Sequence, residues 1–521
     1  MNAKKDRIPG ILRHLTLFLL DTVLVLILWT YADANLDHYT AKMDADIASE
    51  TLLGTRIYEN GFRQPDTWVV STHNYVIMAP NLAAFIYPIV EKNMNLAMGI
   101  AIVLLFLLMA RLMYVYLCNM ELSHIGVVCA MILSFSLMRT SGDIQQMIFL
   151  YAAYYVVHFI TLFLFLILYN KAIEKDKIPS WIFGLTLLLS FLNGLQGMHA
   201  ALFCYMPLLG VEIVRRFVSF IKKEKQSSFL ILGWLLATSF LSVFATKIVG
   251  SYTLGASRNI RHAGEKFIEY VWPFFLDVIS FDKMPVLVTL FCILAALGYI
   301  YTVKELLTGK AAGVGSANSP FWSVLVFPFG VIVCMLSSTF TTAEAAPRYY
   351  IMILFVVGVG VSLFMRGVTK WTRYVCTAIA ALVIIYGLNK AYVFNNDLII
   401  NDNSFEQATA KVARWMEDNG YEYGYSTFNQ ANTITVMSNN KVKVRAVNSM
   451  KEMLGAKWLS DKTWYPPIKD AAGPTCYIVT EANAEDFAEF MGDRKPAVIE
   501  QTVIDDYTVY VLDHDYTLWV D

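Results

Sequence analysis

Three carboxylates fall within seven residues directly after the first hydrophobic segment of the chain: Asp44, Asp46 and Glu50. A charged group beside a bilayer is costly unless it is solvated, paired or facing a cavity, so this cluster is a candidate catalytic site at the membrane surface. One carboxylate can act there as a general base toward a hydroxyl group. Two together can hold a divalent metal such as Mg or Mn through their oxygen atoms.

Helix capping is the structural alternative for the same residues. From Asp44 to about Asn60, the apolar residues recur with the spacing of an amphipathic helix lying on the membrane. In that helix Asp46 and Glu50 are four residues apart and share a face. Aspartate is a preferred N-cap, and acidic residues in the first turn complement the helix dipole. Capping therefore accounts for one or two of the three carboxylates, and both interpretations stay open.

Membrane helices are the elements that must position this cluster. Of the 521 residues, 57% are hydrophobic and only 16% are charged. Soluble domains carry about 25% charged residues, so the composition excludes a soluble globular protein. A helix needs about 20 apolar residues to cross a bilayer. About eleven segments meet this requirement: residues 11–31, 94–118, 122–138, 145–170, 180–198, 199–220, 228–250, 284–303, 320–338, 347–366 and 373–393.

Lysine and arginine predict the orientation of these helices. If the N-terminus is cytoplasmic, the basic clusters at residues 171–177, 215–225 and 366–373 all fall in cytoplasmic segments, as the positive-inside rule requires. An odd number of spans then places the C-terminus outside. The net charge of −1 implies no nucleic-acid partner. Only Cys476 lies outside the predicted helices, so no disulfide framework is expected.

Three larger regions are expected outside the cytoplasm: residues 32–93, 251–283 and 394–521. The last region follows a predicted transmembrane domain, residues 1–393, and has the pattern of a small α/β domain. Its predicted helix carries Val412 and Met416 on one face. Its predicted strands lie around residues 421–426, 442–447, 476–480, 497–503 and 507–512. This domain has no nucleophile elbow, phosphate loop or zinc motif, so we expect it to serve as a lid or to dock an acceptor.

Four short stretches spread along the chain carry a family resemblance. They are the acidic stretch 44–53 with Gly61 and Trp68, the stretch 194–199 followed by Tyr205-Met206-Pro207, Pro347-Arg348-Tyr349-Tyr350, and the stretch 425–432. Together they resemble bacterial multi-pass membrane glycosyltransferases of the GT-C superfamily, in which the first outside loop carries the catalytic acidic residue. The resemblance implies a polytopic GT-C-like fold. It also implies transfer of a sugar from a polyprenyl-phosphate donor to an acceptor outside the cytoplasm, which would be an envelope glycan, a lipid or a protein.

The resemblance also implies roles for individual residues. Asp44 is the first candidate for the general base and Asp46 the second, with Glu50 in support. A lipid-phosphate donor needs cationic partners, and arginine binds phosphate bidentately. GT-C enzymes place a late arginine near the donor phosphate, which makes Arg348 the preferred candidate. Anchoring at the membrane interface beside Tyr349 is an equally weighted alternative for this arginine.

The second outside loop adds further candidates for the donor phosphate, namely Arg258, Arg261 and His262. The chain departs from the family pattern at His73, where a glutamate is expected after the loop tryptophan. A charged histidine can bind phosphate, but a solvated loop residue explains it equally well. Two other functions therefore stay open. One is a non-catalytic transporter or flippase, which needs paired ionisable residues near the bilayer midplane; the other is a relative that only binds glycans.

Overall fold

The structure is a computed structural model. It describes residues 7–70, 74–137, 154–224, 228–248, 260–273, 284–308, 318–341, 347–367, 372–466 and 473–520. Two compact units make up the chain. The first comprises residues 1–32 and 104–396, and the second comprises residues 33–103 and 397–521.

Helices dominate the chain up to residue 395. They are α1 (Arg7–Leu36), α2 (Ala45–Glu59), α3 (Ala79–Ile86), α4 (Met94–Asn119), α5 (His124–Leu137), α6 (Val156–Lys175), α7 (Ser180–Leu195), α8 (Met206–Ile221), α9 (Phe229–Ile248), α10 (Ala263–Lys266), α11 (Pro285–Thr308), α12 (Val326–Phe340), α13 (Met352–Gly367) and α14 (Thr372–Asn395). Short 3-10 segments precede α12 and α13, at Pro320–Leu325 and Pro347–Tyr350.

Seven stretches in the described part of the chain are long and apolar enough to cross a membrane. They are Leu12–Leu36, Met94–Asn119, Val156–Lys175, Phe229–Ile248, Pro285–Thr308, Pro320–Phe340 and Tyr374–Ile400. The helices α5, α7 and α13 are apolar but shorter. The chain is therefore a multi-pass α-helical membrane protein, as its composition predicts. Ten of the eleven predicted segments coincide with these apolar helices.

The remaining predicted segment, residues 199–220, contains α8 and a buried ionic cluster. Glu212 Oε2 accepts a hydrogen bond from Arg215 Nε at 2.7 Å, and Glu212 Oε1 accepts one from Arg216 Nε at 2.6 Å. The hydroxyl of Tyr169 on α6 also donates to Glu212 Oε2, at 2.8 Å. Opposite charges in contact offset the cost of removing each from water, so α8 can carry three ionised residues in the interior.

Glycines allow close packing between α11 and α13. A Cβ atom added to Gly298 would lie only 2.1 Å from the carbonyl oxygen of Gly360. Farther along the same two helices, Glu305 pairs with Arg366. Small residues let membrane helices approach backbone to backbone, where van der Waals contacts replace the hydrophobic driving force that lipid cannot supply.

A five-stranded sheet forms the centre of the second unit. The C-terminal elements are α15 (Ala408–Asp418), β2 (Tyr423–Thr427), α16 (Phe428–Met437), β3 (Lys443–Val447), β4 (Ser460–Asp461), β5 (Thr475–Thr480), α17 (Ala484–Arg494), β6 (Val498–Ile504) and β7 (Tyr507–Leu512). The strand order is β3-β2-β5-β7-β6. Strand β2 is parallel to β3 and β5, whereas β7 is antiparallel to β5 and β6. The predicted α/β character and all five predicted strands are confirmed.

The division into units differs from the predicted domains, which are residues 1–393 and 394–521. Residues 33–103 belong to the same unit as the C-terminal sheet. One sign of this is a short strand, β1 (Trp68–Val69), which pairs antiparallel with β4. Sequence patterns could not show the pairing, because the two strands have two residues each and lie almost 400 residues apart in the chain.

Helix α2 is the element that joins these two segments. Asn432 Nδ2 on α16 donates to Ser49 Oγ at 2.8 Å, and Arg56 Nε donates to Asp461 Oδ2 at 2.9 Å. Most of α2 is buried against protein, including its small residues. The structure thus shows α2 packed against protein on most of its surface, and its position at the membrane stays a prediction. The sequence shows only a weak apolar face because small residues of α2 let α3 and α16 pack against more than one side of this helix.

We predict that Glu212→Gln destabilises the protein by about 3–5 kcal/mol, because it leaves two buried guanidiniums without their shared carboxylate. The measurement is thermal unfolding of the protein in lipid nanodiscs. Glu174→Gln, at an exposed position near the end of α6, is the control and should melt like the wild type. Equal melting temperatures for Glu212→Gln and Glu174→Gln would contradict the predicted contribution of the ionic cluster to stability.

Candidate active site

Asp44 ends an extended segment and caps α2. Its backbone has φ −121° and ψ 176°, and its Oδ1 accepts a hydrogen bond from Ile47 N at 2.8 Å. This is the geometry of an N-cap, which satisfies one of the backbone N–H groups that a helix leaves unpaired at its start. The capping interpretation is thus confirmed for Asp44. The same hydrogen bond fixes the direction of its carboxylate.

Asp46 lies in the first turn of α2 and is half-buried. A carboxylate in this turn interacts favourably with the positive end of the helix dipole. Both aspartates therefore occupy a place where negative charge is stabilised by the helix itself.

Glu50 differs from the two aspartates because it is buried, with 4% of its surface exposed. Its Oε1 accepts a hydrogen bond from the Tyr75 hydroxyl at 3.1 Å. Its Oε2 is enclosed and has no hydrogen-bond partner among the described residues. Burial raises the pKa of Glu50 well above its usual value; the Tyr75 bond lowers this pKa, and the charges of Asp46 and Asp44 raise it further.

The segment 74–78, which leads into α3, is held in place at Tyr75. Gln64 Oε1 accepts from Tyr75 N at 2.8 Å, and Asn81 Nδ2 donates to Tyr75 O at 3.1 Å. Sequence reasoning missed Tyr75, because a single tyrosine in a loop gives no signal of its partner. His73 precedes this segment and lies outside the described residues.

The predicted cations of the second outside loop belong to the first unit. Arg258 lies outside the described residues. Arg261 and His262 are exposed, and they immediately precede the short helix α10. His262 Nδ1 lies 3.1 Å from Glu265 Oε2. The structure therefore brings His262 together with a carboxylate on its own helix.

The late candidates also belong to the first unit. Arg348 and Tyr349 form part of the 3-10 segment before α13, and Tyr349 is half-buried. The side chain of Arg348 lies outside the described part of the structure. Lys266, from the second outside loop, donates to Thr341 O at 2.5 Å. Since Thr341 follows α12, this contact brings the second outside loop to the end of α12 that leads toward Arg348.

Asp44 and Asp46 are the two predicted metal ligands. Within the described ranges, no three side chains of the His, Cys, Asp or Glu type lie together in a way that would hold a metal ion. Magnesium is commonly held by one or two carboxylates together with substrate phosphates. The two aspartates thus fit such an ion only in company with a phosphate-bearing substrate, which would complete its oxygen shell.

No known protein family and no curated protein matches the sequence. Solved structures that it resembles include two of the Archaeoglobus fulgidus oligosaccharyltransferase. The structure of its complex with Zn and sulfate has a TM-score of 0.48 at 10% identity; the match covers 87% of this chain and 67% of that one. The apo form has a TM-score of 0.49 at 10% identity, with coverages of 83% and 65%. The chain thus spans about two thirds of the length of this transferase.

The chain is also similar to ArnT from Cupriavidus metallidurans bound to undecaprenyl phosphate, with a TM-score of 0.49 and 10% identity. That match covers 95% of this chain and 97% of ArnT. With identities of 10% and TM-scores below 0.5, these likenesses do not assign the chain to a family.

Proposed function

We propose that the protein is a membrane glycosyltransferase. It takes a sugar from a polyprenyl-phosphate donor and passes it to an acceptor hydroxyl on the outer side of the membrane, where the acceptor is an envelope glycan, a lipid or a protein. The observation that supports this function best is the placement of the three carboxylates on one helix start, with Asp44 as cap, Asp46 half-buried and Glu50 enclosed. The proposal keeps the predicted orientation, with a cytoplasmic N-terminus and the C-terminal domain outside.

The proposed reaction needs one base. The carboxylate of Asp44, or that of Asp46, removes the proton from the acceptor hydroxyl as its oxygen bonds to the anomeric carbon of the donor sugar. The bond between that carbon and the phosphate oxygen breaks, and its electron pair leaves with the lipid phosphate. A phosphate leaving group needs no general acid, so the proton stays on the aspartate.

Glu50 supports this base by holding its own proton. A third negative charge behind the two aspartates would favour protonation of one of them. With a raised pKa, Glu50 stays neutral over a wider pH range than an ordinary carboxylate and adds no third negative charge there. Pairs of carboxyl groups whose environments separate their pKa values commonly divide acid and base roles in this way.

In this proposal, the donor phosphate is bound by the cations that the sequence predicts for it. Arg348 is the preferred partner because a guanidinium contacts phosphate with two parallel hydrogen bonds. Arg258, Arg261 and His262 supply further positive charge. If Mg or Mn takes part, Asp44 and Asp46 hold it together with the phosphate oxygens, and the ion then neutralises charge on the leaving group.

Two other residues have secondary places in the proposal. His73 and Tyr349 are candidate contacts to the substrates, because each flanks one of the charged segments.

The buried cluster at Glu212 is the observation that favours a transporter or flippase instead, since transporters use paired ionisable residues within the bilayer. Movement of lipid-linked sugar in proteoliposomes without covalent transfer would support that alternative.

We predict that Asp44→Asn and Asp46→Asn lower the release of polyprenyl phosphate, the larger loss marking the base. The loss at the base should be about 10²–10⁴-fold, the usual contribution of a general base. The measurement incubates the protein in nanodiscs with a panel of polyprenyl-phosphate sugars and an envelope extract, with Mg, with Mn and with EDTA.

Controls for this experiment come from the capping chemistry. Asparagine caps helices as well as aspartate does, so Asp44→Asn should fold like the wild type, whereas Asp44→Ala should lose about 1 kcal/mol of stability. Asp66→Asn changes an exposed carboxylate in the same loop and should keep full activity. Full activity in both the Asp44→Asn and Asp46→Asn proteins would contradict the proposal that one of these aspartates is the general base.

We predict that Glu50→Gln gains stability over the wild type as the pH rises above 4.5. Above that pH the unfolded chain has lost the Glu50 proton while the native state still holds it, so the free energy of unfolding of the wild type falls until the raised native pKa is passed. Glutamine has no proton to lose. Below pH 4.5 the difference between the two proteins should be constant.

The measurement is the melting temperature of both proteins across this pH range. Hydrogen exchange of α2, compared between the two proteins at each pH, reports the local effect. Glu452→Gln, at an exposed position, should follow the wild type at every pH. If the Glu50→Gln profile runs parallel to that of the wild type, the pKa of Glu50 is not raised in the native state.

A further inference from the structure

Arg445 is a buried cation without a counter-charge. It lies on β3 and only 7% of its surface is exposed. Its Nη1 atom is enclosed, and in the part of the chain that the structure describes no carboxylate pairs with it and no acceptor receives a hydrogen bond from that atom. Arginine stays charged at neutral pH, and an uncompensated buried charge is among the costliest features a fold can carry.

The surroundings of Arg445 are aromatic. The guanidinium carbon lies 3.9 Å from the centre of the Trp464 ring, and the Trp464 ring meets Trp68 edge-on at 5.6 Å. Tyr425 is the register partner of Arg445 on β2. Stacking on a tryptophan face offsets part of the cost of burying a cation. It uses the face of the guanidinium and leaves the N–H groups along its edge for another partner.

Two carboxylates beside Arg56 cannot serve as that partner, because both are already paired with Arg56. One is Glu59, whose charge acts on Arg445; the other is Asp461. Asp461 is fully buried and accepts from Arg56 at 2.9 Å. Burial lowers the pKa of Arg445 to about 10, and the charge of Arg56 acts in the same direction. This corner of the second unit therefore carries a positive charge that its own side chains do not neutralise.

We propose that Arg445 is the anion-binding group of an acceptor subsite, which takes a glycan bearing a carboxylate or a phosphate group. This inference rests on the proposed function. The guanidinium fork forms two parallel hydrogen bonds with either group. The indole and phenol rings around it are the kind of surface against which sugar rings pack, and the bound anion supplies the missing counter-charge.

The position of Arg445 favours the acceptor over the donor. Helix α2 rises about 1.5 Å per residue, so Arg56 lies about 15 Å along the helix from Asp46. The donor phosphate must be next to the reacting carbon and therefore close to the proposed base. A negative group held in the Arg445 corner belongs to a different part of the substrate complex. In an acidic oligosaccharide, this negative group lies on a sugar other than the one whose hydroxyl accepts the transferred sugar.

Two lysines extend the positive surface on the same unit. Lys457 Nζ lies 6.0 Å and Lys462 Nζ lies 5.7 Å from the centre of the Trp519 ring. Trp519 packs against Tyr465 at 5.5 Å between ring centres. The charge of Arg445 acts on the same Tyr465 phenol, in the direction that lowers its pKa. An acidic chain bound at Arg445 would find further cations along this surface.

Binding is tested with the full-length protein in nanodiscs. The probes are trigalacturonic acid, the matched neutral trisaccharide galactotriose, mannose 6-phosphate and inorganic phosphate, with farnesyl phosphate as a mimic of the donor. We expect the wild type to bind trigalacturonic acid or mannose 6-phosphate at least about tenfold more tightly than galactotriose, the effect of a hydrogen-bonded charge pair. Which of the two acidic sugars binds more tightly identifies the negative group.

The variants separate charge from geometry. Arg445→Met should remove the preference for acidic probes, and Arg445→Lys should retain only part of it, because lysine keeps the charge without the fork. Lys441→Met removes an exposed cation paired with Glu417 and should bind like the wild type. Arg445→Met should melt at or above the wild-type temperature, since it removes an uncompensated charge. If it does not fold, Arg445→Lys decides the test.

The outcomes are distinct from those of the transfer assay. Asp46→Asn should bind trigalacturonic acid normally even if it transfers no sugar, so a failed enzyme activity leaves this result standing. Equal affinity of the wild type for charged and neutral probes would overturn the inference. A preference for farnesyl phosphate that Arg445→Met abolishes would overturn the assignment to the acceptor.

Discussion

The cost of burying charge is the constraint on which the rest of this structure depends. A charge removed from water must be offset by an opposite charge and by hydrogen bonds. In the described part of the chain, ion pairs that meet this condition include Glu212 with its two arginines and Asp461 with Arg56. The first pairing lets α8 lie in the interior of the first unit. The second helps to fix α2 to the C-terminal sheet domain.

Two charged side chains among the described residues of the second unit do not meet this condition, and both enter the proposals above. Glu50 has an enclosed oxygen without a partner, and Arg445 has an enclosed nitrogen without one. Burial raises the pKa of the Glu50 carboxyl group, which favours its neutral form. The guanidinium stays charged at neutral pH and depends on stacking against Trp464. The proposed base and the proposed acceptor subsite each lie beside one of these two groups.

The sequence predicted well whatever depends on local patterns. Long apolar runs located the membrane helices, short segments between turn residues located the five strands, and Asp44 followed by a helical pattern predicted its own cap. Contacts between distant residues could not be predicted. The hydrogen bond between Ser49 and Asn432 joins residues 383 positions apart. The burial of α2 against α16 could therefore not be predicted from local patterns. The hydrogen bond from Tyr75 and the missing partner of Arg445 also depend on tertiary packing alone.

Helix α2 couples the two proposed roles of the second unit. Its first turns carry the carboxylates, and its last turn carries Arg56, which pairs with Asp461 beside β4. A C-terminal domain that merely covered the site would leave α2 unchanged when removed. Here α2 packs on α16 and bonds to it, so the sheet domain helps to fix the position of the proposed base. Docking an acceptor on that domain would therefore set its hydroxyl relative to the carboxylates through one rigid helix.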